Sequence, residues 1–360
     1  MLIDKKFNII YRNVRPDNCD QFKIGIIGAG NIVENSHLPT YIKEKLKVTN
    51  IFDLSIEKAR NLKNRFKIDK YSNSLDEFFH DNNFDIVDIA VPAEFNEELI
   101  KKTLSNNKDI LVQKPLSNNI NSAKRIIKEY NNYNLKVNVN HQMRYSPAIR
   151  AAKYILKKKY LGNIIKFNFY THRKTDWSIW PWLEKIDYPE LRYNSIHYLD
   201  SLRYLFGEPL SIKANLLSSK NGIKNKPTNL FVDLNFSNQI SGSLNITHDN
   251  NLSKEKWTAG YEIIGEKGKC RGIISSMIGN GFDFNDKISF NFLHDNKSIN
   301  LEKTLNGRWF SESFAGPIFS LIDSIKNNYE PETNIFDAYN TLNLVEKVIE
   351  SHKTQSWIKF

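Results

Sequence analysis

The sequence predicts a two-domain α/β protein. A doubly wound parallel sheet comes first, and an α+β domain with a large, mostly antiparallel open sheet follows. Three observations carry this. From Phe22 to about residue 141, short apolar runs alternate with amphipathic segments of about 10–15 residues, the rhythm of a parallel sheet with helices on both faces. A glycine turn, Gly28-Ala29-Gly30, directly follows the first apolar run. After about residue 162 the pattern becomes short alternating strands separated by Gly, Asn and Asp turns. The length, 360 residues, agrees with two domains of ordinary size.

Taken in order, KIGII (23–27) reads as a buried strand and 31–45 as a helix. VTNIF (48–52) is a second strand with Asp53 at its end, and 55–66 is an amphipathic helix capped by Ser55. A short helix at 74–79 precedes the strand FDIVDIAV (84–91), which ends at Pro92. A helix over 94–105 leads to the strand KDILVQ (108–113), which runs into Lys114-Pro115. A helix over 122–133 and the strand LKVNVNH (135–141) complete this half. A helix at 147–160, the strand IIKFNFYTH (164–172), an aromatic loop and a helix from about 193 to 205 open the second half. The strands LFVDLNF, ISGSLNITH, AGYEIIG, KCRGIIS and KISFNFL follow, and helices near 312–327 and 335–351 end the chain. This gives an arm over 1–21, a nucleotide-binding domain over 22–145, and a substrate and oligomerisation domain over 146–360.

Composition narrows the function. Forty per cent hydrophobic residues exclude a disordered chain, and no apolar run is long enough to span a membrane. Two cysteines, Cys19 and Cys270, are too few for a disulfide framework and fit a reducing, cytoplasmic setting. The N-terminus reads as neither a signal peptide nor an anchor. The net charge of +11 comes with no nucleic-acid-binding motif, so neither nucleic acid nor membrane is expected as a partner. The eight histidines are dispersed and give no metal site, and no G-x-S-x-G elbow points to a serine hydrolase.

Four segments carry chemistry. In GIIGAGNIV (25–33), Gly28 and Gly30 let a pyrophosphate approach a helix N-terminus, with Asn31 and Ile32 next in line. Val33 stands where a third glycine is usual. Asp53, at the end of the second strand, suits the adenosine ribose hydroxyls and repels a 2′-phosphate, favouring NAD over NADP; a loop-capping Asp is the alternative. Val91 and Pro92 end the next strand toward the same cofactor edge. Gln113-Lys114-Pro115 ends another, where ligands of open α/β sheets bind, so Lys114 is a catalytic candidate and otherwise a surface lysine. Tyr193 and His197, four apart on one predicted helix face with Asp200 close by, suit proton transfer; a packed core histidine is the alternative. Asp176, Trp177, Trp180 and Trp182 in KTDWSIWPWL suit a sugar, by stacking and hydroxyl contacts, or else plug a hydrophobic gap.

The stretches IGIIGAGNIVENSHLP, IAVPAEFNEELI, ILVQKPLS, VNVNHQMRYSPAIRAAK and YNSIHYLDSLRYLFGEP together resemble the Gfo/Idh/MocA oxidoreductases, named for glucose–fructose oxidoreductase and inositol dehydrogenase. The resemblance implies an N-terminal Rossmann domain, a C-terminal α/β domain and NAD(P)-dependent oxidation of a sugar or cyclitol hydroxyl. By resemblance Lys114 and His197 are catalytic, and Gln113 holds the place of the usual Glu beside the cofactor. Tyr193 holds the place of an Asp and Asn96 that of a frequent His. Q-K-P, W-P-W and Y-x-S-I-H-Y-L-D resemble a branch with apiose-type dehydrogenases.

On this basis Lys114 would stabilise an alkoxide and His197 would accept the hydroxyl proton, with Tyr193 assisting. Gln142, Arg144 and Asn194 would face the substrate. Alternatives are a family member that holds NAD tightly without net redox change, such as a glycosidase, and an inactive binding homologue. A free sheet face is expected to expose an apolar patch and to drive a homodimer or homotetramer.

Overall fold

The computed structural model describes residues 13–81, 83–219, 222–249, 257–276, 285–294 and 297–360. The first part of the expected arm, 1–12, lies outside them, as do most of GNGFDFND and the tip of HDN. The chain forms two compact units. The nucleotide-binding unit comprises Asn13–Gln142 and Phe314–Leu342; the sheet unit holds Met143–Ser313 and Asn343–Phe360.

In the nucleotide-binding unit six parallel strands run in the order β3-β2-β1-β4-β5-β6. They are β1 (Lys23–Ile27), β2 (Lys47–Phe52), β3 (Lys70–Ser72), β4 (Ile86–Ile89), β5 (Asp109–Gln113) and β6 (Val137–Asn140). The central strands are buried on both faces, which is why they read as continuous apolar runs. Helices α1 (Leu38–Lys43), α2 (Ile56–Phe66), α3 (Leu75–His80), α4 (Asn96–Ser105) and α5 (Ile120–Tyr130) connect them. Ser55, Ser74 and Asn119 cap α2, α3 and α5 through their side chains. Cys19 is fully buried in this core, so the end of the arm is anchored.

The boundary expected at 145/146 differs from the observed division. Two helices later in the chain, α8 (Ala315–Asn327) and α9 (Ile335–Thr354), supply side chains to this core. Ile318, Phe319, Leu321 and Ile322 pack with Ile24 and Ile51, and Ile335, Ala338 and Leu342 pack with Val137 and Val139. Asn138 on β6 donates to the Pro317 carbonyl at 2.8 Å and accepts from the Thr333 hydroxyl at 2.7 Å. Local periodicity carries no trace of pairings nearly 200 residues apart.

The sheet unit has nine strands in the order β14-β13-β12-β11-β7-β10-β9-β8-β15. These are β7 (Ile164–Arg173), β8 (Pro209–Ser218), β9 (Pro227–Phe236), β10 (Ser241–Thr247), β11 (Trp257–Gly265), β12 (Gly268–Ile273), β13 (Lys287–His294), β14 (Lys297–Thr304) and β15 (Ile358–Lys359). Among the described residues, only β7 and β10 of this sheet pair in parallel. Helices α6 (Pro147–Lys157) and α7 (Ile196–Phe206), with the last turns of α9, pack on one face.

The other face corrects the expected apolar patch. Period-two alternation turns Asn168, Ser243 and Asn245 outward. Asn168 accepts from the Ser243 hydroxyl at 3.1 Å and the Asn245 amide at 3.0 Å, and Arg271 pairs with Glu262. Scattered apolar side chains, Leu217, Phe231 and Leu293 among them, interrupt this polar lattice.

Candidate functional site

In the nucleotide-binding unit the glycine turn opens directly from β1. Gly28 has φ +110°, and a Cβ there would stand 2.4 Å from the Ala90 carbonyl oxygen. The turn therefore lies against the end of β4, which only glycine permits. Gly30 differs: a Cβ would meet nothing within 4 Å. The space over Gly30 is the room a pyrophosphate needs at a helix start. Asn31 is exposed, and Ile32 and Val91 are partly so, with Pro92 exposed. Val33 is wholly buried, which explains why a larger residue replaces the third glycine. A π turn, Val33–His37, leads into α1.

Asp53 caps the loop, as the alternative reading expected. Its carboxylate accepts from the Ala29 N–H at 2.7 Å and the Ser55 N–H at 2.8 Å. It ties the glycine turn to the end of β2 and remains partly exposed. The open ground at Gly30 and this acidic anchor fit a dinucleotide.

Lys114 follows β5 and is half-buried, with a cis peptide to Pro115. Gln113, expected to face the cofactor, is buried, and its amide oxygen accepts from Asn140 Nδ2 at 2.8 Å. Asn96, noted in the sequence only as a departure, is fully buried and donates to carbonyls of the Lys114 turn. Gln142, expected at the substrate, is buried after β6.

In the sheet unit, His197 sits on α7, buried, with its ring edge-on to Trp309 at 5.2 Å. Trp309 was not foreseen; it comes from a loop more than a hundred residues away. Tyr193 lies in a π turn, Leu191–Ser195, rather than in the α-helix. Its ring meets Trp182 edge-on at 4.9 Å. Asp200, expected close to His197, is engaged by Arg144. It accepts both arms of the Arg144 guanidinium, at 2.6 and 2.7 Å, with both residues buried. The expected substrate contact by Arg144 is thus a buried, bidentate ion pair.

Four more expected substrate contacts are otherwise engaged. Asp176 caps the short turn Trp177–Ile179, accepting from the Ser178 N–H at 3.0 Å and its hydroxyl at 2.6 Å. Those bonds hold its pKa below the usual carboxylate range. Trp177 is buried against His248 at 4.9 Å and forms a satellite core with Leu183 and Ile223, against which Trp180 packs. Asn194 accepts from Arg173 at 3.2 Å and donates to Glu190 at 2.6 Å. Of the three tryptophans, Trp182 is the exposed one, at 39%.

Sequence reasoning missed the network beneath this loop. Glu190, wholly buried, accepts from Asn194, from the Ser195 hydroxyl at 2.6 Å and from His248 Nε2 at 3.1 Å. His248 Nδ1 accepts from Arg173 Nε at 3.2 Å, which places the ring proton on Nε2. Burial, and then the Arg173 charge, push the His248 pKa down, keeping the ring neutral. The one visible signal was the density of polar residues in a segment that also carries three tryptophans.

The parallel sheet and its glycine cradle define a Rossmann-type nucleotide-binding oxidoreductase. The chain belongs to the Gfo/Idh/MocA family. The family profile described as "Oxidoreductase family, NAD-binding Rossmann fold" matches residues 22–141, and "Oxidoreductase family, C-terminal alpha/beta domain" matches 156–360. An uncharacterized protein of Saccharomyces cerevisiae is 31% identical over 42% of this chain and 43% of its own. The D-apiose dehydrogenase of Rhizobium rhizogenes is 22% identical over 55% of this chain and 57% of its own. The matched region thus spans about half the length of these relatives. A levoglucosan dehydrogenase solved in complex with NADH shares the fold at TM-score 0.82, with 18% identity over 94% of this chain and 98% of that one. Among the described residues, no helix is long and apolar enough to cross a membrane.

Proposed function

We propose that this oxidoreductase is an NAD-dependent dehydrogenase of a sugar or cyclitol. The observation that carries the reading is the open cradle at Gly30, with Asp53 anchored beside it. When bound, the nicotinamide ring takes a hydride from the carbinol carbon of the substrate. The chain's own residues manage the rest. Gly28 and Gly30 admit the pyrophosphate, and Asp53 receives the ribose hydroxyls and disfavours a 2′-phosphate. Lys114, cationic and set by its turn, stabilises negative charge developing on the substrate oxygen. His197 accepts the hydroxyl proton. Trp182, exposed beside Tyr193, offers a ring face to the sugar. Tyr193 assists His197 in the proton transfer.

The test is NAD and NADP reduction against a panel of aldoses, ketoses, cyclitols and sugar acids. We expect turnover with NAD, and losses of about 100- to 1000-fold in Lys114→Ala and His197→Ala with NADH affinity retained. Near-normal turnover in Lys114→Ala would reject its assignment. Asp53→Ala should bind NADH more weakly and discriminate less against NADPH in fluorescence titrations. An unchanged preference would show that the carboxylate serves only the glycine turn.

A further inference from the structure

The turn carrying Lys114 is gripped by two buried amides of the same unit. Asn96, the first residue of α4 and 0% exposed, directs Nδ2 at three carbonyl oxygens. They belong to Gln113 at 3.4 Å, Pro115 at 3.1 Å and Leu116 at 3.2 Å. Three acceptors around one NH₂ group fix the amide's orientation, because its oxygen would repel all of them. The carbonyls before and after Lys114 therefore converge on one donor from another element.

The second grip acts on the Gln113 side chain through a chain of buried hydrogen bonds. The Asp88 carboxylate, wholly buried on β4, can only accept when ionised. It takes the Tyr41 hydroxyl at 2.7 Å and His37 Nδ1–H at 2.6 Å. With its proton on Nδ1, His37 presents Nε2 as an acceptor to Asn140 Nδ2 at 3.4 Å. The same amide donates to Gln113 Oε1 at 2.8 Å. These hydrogen bonds lead from Asp88 to the residue before Lys114. Neither grip is needed to finish a strand or a helix.

We propose that Asn96 is a positioning residue that sets Lys114 for catalysis, with the Asp88–His37–Asn140 chain as its second support. This rests on the catalytic assignment of Lys114 above. A lysine has a long, flexible stem, so a fixed backbone origin decides where its ammonium spends its time. Displacing a reacting group by about 1 Å can cost about 100-fold in rate.

The experiment is a double-mutant cycle on kcat, using the fastest sugar of the panel, with NADH affinity measured by fluorescence. A second readout needs no turnover: the rate at which limiting acetic anhydride labels Lys114 in cofactor-free protein, followed by peptide mass spectrometry. We expect Asn96→Ala to lower kcat by about 10- to 100-fold, with NADH affinity within about twofold. The Lys114 labelling rate should change by more than about twofold. In the Lys114→Ala background the same substitution should cost less than about twofold, because the group it positions is gone.

A kcat within about twofold of wild type in Asn96→Ala overturns the proposal. So does an equal loss in the Lys114→Ala background, which would mark a general structural effect. If Lys114→Ala keeps its turnover, the catalytic assignment itself falls, and that result is distinct. Should Asn96→Ala lose NADH affinity, Asn96→Asp keeps the volume without the donors, and it must reproduce the loss of kcat with NADH affinity intact. If both variants lose NADH affinity, the clamp is purely structural and the proposal is rejected. If no sugar is turned over, unchanged labelling of Lys114 in Asn96→Ala rejects it alone.

Discussion

Gly28 and Gly30 stand two positions apart and answer to different demands. The first is required by the fold, since its Cβ would collide with the Ala90 carbonyl at a φ that side chains rarely adopt. The second is required by nothing in the chain, because its Cβ would meet open space. Gly28→Ala should therefore lower the thermal midpoint of the protein. Gly30→Val should leave that midpoint within a few degrees yet weaken NADH binding at least about tenfold in a fluorescence titration, as a filled cradle must. Equal NADH affinity in Gly30→Val would place the pyrophosphate elsewhere. Residues of this kind were legible because their signal is local: a G-x-G between strand and helix, an Asp at a strand end, a Lys before Pro. Asn194, Arg144 and Asp176 were misread for the opposite reason. A polar side chain announces that it needs partners, and the sequence does not say whether they are in the protein. Arg144 finds Asp200, and Asn194 finds Arg173 and Glu190.

Helices α4 and α5 illustrate the element scale. Glu97, in the first turn of α4, accepts both arms of Arg125 from α5, together with the Ser122 hydroxyl and Lys101 one turn on. The Arg125 bonds, then those of Lys101 and Ser122, hold its pKa down at about 2. A carboxylate with a depressed pKa stabilises the fold above its ordinary value near 4.5, and the contribution is lost as pH falls toward 2. Glu97→Gln should thus be less stable than wild type at pH 6, and the gap should narrow at pH 3. Urea midpoints of both proteins at the two pH values check this; a constant gap would show that the ion pairs contribute nothing. Most elements were readable, since helices declare themselves by caps and period. Of those missed, β3 is three residues and β15 is two, while β8 alternates along 210–216 and was legible. The two π turns, before α1 and before α7, were also invisible, because one added residue per turn leaves no compositional mark.

At the scale of the whole molecule, among the described residues the nine-stranded sheet leaves one face without helices. Exposed Leu217, Phe231 and Leu293 stand there among paired asparagines and serines. Such a surface, part apolar and part preorganised polar, suits a two-fold contact of the ordinary size of about 1,200–2,000 Å². Size-exclusion chromatography with light scattering at micromolar concentration should give a dimer or tetramer; a monomer would assign the face to solvent. Fold class was legible at this scale because alternation and glycine punctuation are global patterns. The division of the chain was not. Since Phe314–Leu342 belong to the nucleotide-binding unit, that unit is made of two stretches of sequence with the sheet unit's main segment between them. During synthesis the six strands leave the ribosome first, yet the side chains that seal β1 and β6 emerge only after residues 143–313 have followed. A nascent chain arrested near residue 150 should consequently hold an unfinished core, open to chaperones and proteases, and acquire protection only once α8 and the start of α9 have been translated.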